Sequence, residues 1–154
     1  PIKADGSVER MLAMETAAGL YSSETFREFA KRINLLKQET LSHLSGWKRA
    51  GQRIAGFGAS ISTNALIYHF ELGEFLDCLF DDDQTKHGLY SPGTNLPVCP
   101  PAELASRKPN IVLVLAWRFA NAVLQKNLGY LETGGQFAVP LPDFRIYGPS
   151  GITH

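Results

Sequence analysis

RIAGFGASISTNALIYHF, residues 53–70, is the stretch that decides the fold. Ile54-Ala55-Gly56-Phe57 is a short apolar run behind the polar Gly51-Gln52-Arg53, the pattern of a strand buried on both faces. Gly58 and Ala59 then remove side-chain bulk where the backbone must turn. Ser60, Ser62, Thr63 and Asn64 all suit a helix N-terminus, and Ala65-Leu66-Ile67-Tyr68 continues as helix. Strand, glycine turn and helix start together leave free N–H groups with the helix dipole behind them, a setting for a phosphate. The fingerprint of a dinucleotide fold is incomplete, because Ile61 stands where a third glycine belongs. No Gly-Lys-Ser/Thr follows, so the turn is not a P-loop. An ordinary strand-to-helix connection remains the plainer reading of the same residues.

Working outward, the 154-residue chain has zero formal net charge and is 44% hydrophobic. That length fits one domain plus a helical extension, with a real core. Zero net charge argues against a nucleic-acid groove or an anionic membrane surface as partner. No apolar run approaches the roughly 20 residues of a spanning helix, and no signal peptide is visible. Cys78 and Cys99 lack CxxC spacing and fit a reducing, cytoplasmic setting, with Cys78 a buried thiol.

Upstream, residues 1–50 read as a helical lead that packs on the sheet or on a neighbouring domain. Ser7 starts a short helix ending near Gly19, and Ser22 or Ser23 starts a longer one. Phe26, Phe29, Ile33, Leu36, Thr40, Leu44 and Trp47 form one stripe at helical spacing. His43 lies off that stripe and is expected in solvent. Downstream, residues 51–154 read as a Rossmann-like α/β domain. Phe75–Phe80 gives a second strand, Ile111–Leu115 a third, Gln136–Val139 a fourth, and Phe144–Tyr147 a possible edge strand. Alternating strands and helices imply a mostly parallel sheet of order 2-1-3-4 with a possible fifth edge strand.

In such a sheet the ligand crevice opens beyond the carboxyl ends of the strands where the order reverses. That point lies between Ile54–Phe57 and Ile111–Leu115, and it receives Gly56 to Ser60 and Ala116-Trp117-Arg118. Trp117 either stacks on a ligand or covers the sheet end. Asp81 follows Gly56 by 25 residues, near the place of a ribose-binding acid. Asp81-Asp82-Asp83 beside His87 is not read as a metal site, since adjacent carboxylates splay apart and no further ligand has the right spacing. Gln84–Pro101 is a long loop carrying Lys86, His87 and Tyr90.

Four blocks in this order, GFGASISTNALI, FDDDQTKHGLYSPGTNLPV, PAELASRKPNIVLVLAW and GGQFAVPLPDFRI, resemble the C-terminal domain of the sugar C-methyltransferases. Those enzymes use S-adenosylmethionine and act on nucleotide-linked deoxysugars. In them this domain follows a zinc-binding domain and a middle domain that holds S-adenosylmethionine, and the sugar nucleotide lies in the cleft between middle and C-terminal domains. The resemblance therefore implies a nucleotide-linked sugar and the S-adenosylmethionine-binding domain of the same full-length chain as partners. It implies no cofactor or metal on this part, and no catalysis by it alone. The family's glycine turn falls on Gly56, Gly58, Ala59 and Ser60, its helix asparagine on Asn64, and its post-strand acid on Asp81. Its Lys-x-Gly-x-Tyr-x-Pro-Gly loop falls on Lys86, Gly88, Tyr90, Pro92 and Gly93, and its tryptophan on Trp117. Ser62-Thr63 replaces the usual lysine and glycine, and Ala116-Trp117-Arg118 replaces Pro-Trp-Asn, so a different sugar or nucleotide, or a weakened site, is compatible with these residues. No catalytic base is identifiable. Two other functions fit parts of the pattern: a nicotinamide-dinucleotide module, from the GxG turn and Asp81, or a docking domain without a ligand, from the long apolar helix.

Overall fold

A computed structural model describes residues 5–152. The chain divides into two compact units, residues 1–35 and 36–154. The first contains α1 (Ser7–Ala17) and the opening turns of α2 (Ser23–Arg49). None of its described residues is buried, and Met11, Met14, Phe26 and Phe29 are each more than half exposed.

The second unit is a seven-stranded sheet with helices. Its elements are β1 (Ile54–Phe57), α3 (Ile61–Phe70), β2 (Leu79–Phe80), β3 (Val98–Cys99), α4 (Leu104–Arg107), β4 (Ile111–Val114), α5 (Ala120–Lys126), α6 (Leu128–Glu132), β5 (Gln136–Val139), β6 (Arg145–Gly148) and β7 (Gly151–Ile152). The strand order is β3-β2-β1-β4-β5-β6-β7. The first five are parallel, and β6 and β7 are antiparallel. The expected order therefore holds for β2-β1-β4-β5, with β6 as the fifth strand and β7, not β6, at the edge.

Every residue of β1 and β4 is buried, as their unbroken apolar runs require of a sheet covered on both sides. Alternate residues point to opposite faces. Ala55, Phe57, Val112, Val114, Phe137 and Val139 form one core cluster with Leu104, Val123 and Leu124 of the helices. Each of these Val, Leu and Phe side chains contributes roughly 1.5–3 kcal/mol when fully buried. α3 buries Leu66, Ile67 and Phe70, and its chain stops at Glu71, which takes φ 60° while its N–H caps the helix end.

Three expectations need correction. Phe75 belongs to a 3-10 turn, Gly73–Phe75, and only Leu79 and Phe80 pair as strand. The apolar run is real and stays beside β1, where the Asp77 N–H donates to the Ile54 carbonyl and the Cys78 carbonyl accepts from the Gly56 N–H, and Leu76 and Cys78 are buried. The long loop conceals β3, whose two residues pair with β2. His43 is not in solvent: its ring stacks on Phe144 at 4.4 Å between centroids, with an interplanar angle of 10°.

Cys78 and Cys99 are each 4% exposed. Burial first, and the neighbouring Cys99 second, push the Cys78 thiol up to about 12. The folded state thus keeps a proton that the unfolded chain releases near pH 8.5–9, so stability from this group is full below that range and is lost as pH rises toward 12. Native protein at pH 8 should react negligibly with an aromatic disulfide reagent, and both thiols should titrate after denaturation. Rapid native labelling of Cys78 would contradict the packing described.

Candidate functional site

The site is built at the carboxyl ends of β1, β2 and β4. The order reverses between β1 and β4, which pair from Ile54–Ile111 to Phe57–Val114. The Phe57 carbonyl accepts from the N–H groups of both Leu115 and Ala116, so the segment after β4 lies tight against the end of β1. Gly58 sits in that contact with φ 110°. A Cβ there would lie 2.8 Å from the Ala116 Cβ and 3.1 Å from the Ala116 nitrogen. Its N–H donates to the Phe80 carbonyl at 2.7 Å, which ties the turn to β2 as well. Gly56 serves a different purpose: a Cβ would strike Leu79 Cδ2 at 2.6 Å and Leu115 Cδ1 at 2.7 Å, within the sheet's packing.

Ser60 caps α3 through its Oγ, which accepts from the Thr63 N–H at 3.3 Å. The same oxygen lies 2.9 Å from Ser62 Oγ and 3.1 Å from Thr63 Oγ1. Thr63 is buried beneath this hydroxyl cluster. The N–H groups of Ile61 and Ser62 have no acceptor among the described residues. Asn64 is half-buried in the first turn, and its N–H goes to the Ser60 carbonyl.

Asp81 is buried, whereas Asp82 and Asp83 are exposed. Its Oδ2 accepts from the Ala59 N–H at 2.6 Å. Its Oδ1 accepts from the Asp83 N–H at 2.9 Å and from Lys86 Nζ at 3.2 Å. Its carbonyl accepts from His87 Nε2–H at 2.8 Å. Asp82 pairs with Lys126 at 2.8 Å. Asp83 caps the 3-10 turn Gln84–Lys86, and the hydrogen bonds from Thr85 hold its carboxyl below the usual carboxylate range. Asp82 thus pairs with Lys126, while Lys86 is held within the loop between Asp81 and Asp83. No group of three or more His, Cys, Asp and Glu is placed to hold a metal among the described residues.

Tyr90 is exposed, on a loop anchored by its bridge to Pro97. Trp117 opens the 3-10 turn Trp117–Phe119 after β4. It is half-buried against the core cluster, and the Arg118 guanidinium lies 5.2 Å from its ring centroid. Arg118 forms no ion pair among the described residues. The sequence reading overlooked two exposed apolar side chains on these segments, Ile61 at 91% and Phe119 at 67%. Ile61 had a signal: an apolar residue among the capping hydroxyls, where solvation alone would favour a polar one.

Larger cavities lie elsewhere. One of about 480 Å³ is lined by Ala102, Lys108, Asn110, Asn127, Tyr130 and Gly134, at the amino ends of β4 and β5. Another of about 680 Å³ lies between Leu41, Ser45, Tyr68, Glu71 and Thr94. The glycine-turn site is instead an open rim.

Residues 2–142 match the family described as the C-methyltransferase C-terminal domain. The chain belongs to that family. A curated relative, the C-methyltransferase NovU of Streptomyces niveus, is 33% identical over 142 residues, which is 91% of this chain and 34% of the relative. This C-methyltransferase C-terminal domain thus spans about a third of that relative's length. A solved structure, UDP-D-quinovosamine 4-dehydrogenase from Vibrio fischeri, aligns at 17% identity and a TM-score of 0.43, over 60% of this chain and 79% of that one. A likeness that distant carries no argument. No helix among the described residues is long and apolar enough to cross a membrane.

The Gly58 contact gives a direct test of the domain's geometry. Gly58→Ala must both hold a positive φ and displace Ala116, so it should cost about 2–5 kcal/mol. Gly88→Ala, which meets open space at φ 78°, should cost only about 1–2 kcal/mol. Urea denaturation of the two variants side by side checks the difference, and equal midpoints would contradict it.

Proposed function

We propose that this domain holds the nucleotide-linked sugar of a C-methyltransferase at the glycine turn, and that it does not catalyse transfer alone. The observation that carries the reading is the pair of unengaged N–H groups, Ile61 and Ser62, at the start of the ten-residue helix α3. Arg118 stands on the neighbouring segment, two residues after the Ala116 that packs on Gly58, and forms no ion pair among the described residues. A helix N-terminus and a guanidinium are complementary to a diphosphate. Tyr90 and Trp117, from the loops after β2 and β4, supply aromatic surface for the base or sugar. Gly56, Ala59, Ser60, Asn64, Asp81 and Lys86 shape or support this place.

Methyl transfer requires a donor aligned with a carbon that has lost a proton next to a carbonyl. S-adenosylmethionine supplies the methyl group when bound. Asp81 already accepts three internal hydrogen bonds at this turn, which leaves at most one of its roughly four acceptor sites for a ribose hydroxyl. We therefore assign the donor to the remainder of the full-length polypeptide. The same bonds weigh against a nicotinamide dinucleotide. What this chain contributes is binding and orientation: it positions the sugar and presents it to the donor.

The exposed apolar side chains of residues 8–35 support a second role, docking on that donor-bearing part. In the full-length enzyme, Phe26→Ser with Phe29→Ser should raise hydrogen exchange along α1 and early α2. Unchanged exchange would argue against docking there.

Stacking on a base is worth roughly 1–3 kcal/mol by alanine substitution. Trp117→Ala should therefore weaken a thymidine sugar nucleotide at least about tenfold, while Trp117→Phe largely keeps it. Calorimetry, corrected for the folded fraction, measures both. Normal affinity in a Trp117→Ala protein of lowered stability would assign Trp117 to the core alone.

A further inference from the structure

We propose that Asp81 is a positioning residue, which locks the glycine turn and the 84–90 loop into one arrangement, rather than a contact to the nucleotide. The inference rests on the sugar-nucleotide reading for its consequence in binding, though not for its geometry. One carboxylate faces two segments at once. Oδ2 takes the Ala59 N–H, directly before the α3 cap, and Oδ1 takes the Asp83 N–H and Lys86 Nζ. The backbone of the same residue takes His87 Nε2–H and donates its own N–H to the Cys99 carbonyl of β3. Asp81 is 8% exposed, so these donors replace the water that an exposed carboxylate would keep, and a missing donor leaves a costly buried charge. The turn therefore cannot shift without releasing the loop that carries Tyr90, nor the loop without releasing the turn.

Charge placement leads the same way. An unneutralised carboxylate beside the helix start would repel a phosphate at Ile61 and Ser62. Lys86, 3.2 Å from Oδ1 and 3.5 Å from Asp83, offsets that charge. Three internal donors already fill most of the roughly four acceptor sites of this carboxylate, which leaves little for a ribose hydroxyl.

Hydrogen exchange followed by mass spectrometry tests the lock without ligand. Asp81→Asn retains one acceptor oxygen and cannot serve both segments, so exchange should rise together at residues 58–60 and 84–90, with 111–115 unchanged. A rise in one segment only, or in neither, overturns the proposal. Should Asp81→Asn lose protection throughout, Lys86→Met with His87→Ala removes the two side-chain partners on the loop, keeps the Asp83 N–H bond and leaves Asp81 intact. Faster exchange at Ala59 is then expected, and unchanged exchange there overturns the proposal. Binding separates positioning from contact. Asp81→Asn should weaken thymidine diphosphate and 2′,3′-dideoxythymidine diphosphate by the same factor, about tenfold. A penalty that vanishes for the dideoxy nucleotide would make Asp81 a ribose ligand and overturn the proposal. Wild-type protein that binds neither nucleotide would sink the sugar-nucleotide reading, while the exchange measurements still decide the role of Asp81.

Discussion

The close approach of backbone at Gly58 is the constraint on which the rest of the second unit depends. β1 must end, reverse and start α3 within three residues, and it must do so against the chain leaving β4. Only a residue without a Cβ fits 2.8 Å from the Ala116 methyl at φ 110°. The hydrogen bonds around it, from Gly58 to Phe80 and from Leu115 and Ala116 to Phe57, join the ends of β2, β1 and β4 into one rim. Every residue proposed to meet a ligand stands on that rim, or on a loop anchored to it.

Charge on the rim is arranged by pairing. Asp82 and Asp83 are satisfied at the surface, by Lys126 and by the turn they begin, and pairs that exposed add little stability. Asp81 is turned inward and bonded on both oxygens. The positive end of α3 and the guanidinium of Arg118 are left facing outward. This balance is what the proposed binding of a diphosphate requires.

Much of this was legible in the sequence because hydrophobic runs bounded by turn residues are local signals. IAGF, IVLV and QFAV each form a strand where their composition places it, and Ser60 caps as its side-chain oxygen suits it to do. β3 was not legible, since two residues between prolines carry no periodicity and their pairing depends on β2. His43 looked solvated on a helical wheel, but its partner Phe144 lies 101 residues away in the chain. The role of Asp81 was hidden for the same reason. Spacing marks an acid after the second strand, while the Ala59 N–H that occupies it is a tertiary neighbour. The family was readable because its motifs are spread over the whole chain in order.

Backbone amide shifts in isotopically labelled protein, titrated with a thymidine diphosphate sugar, test the central claim most directly. The account predicts the largest changes at Ile61 and Ser62, smaller ones on the Tyr90 and Trp117 loops, and an Ala59 amide that keeps its bond to Asp81. Changes centred instead on the cavity lined by Lys108, Asn127 and Tyr130, with the glycine turn silent, would contradict it.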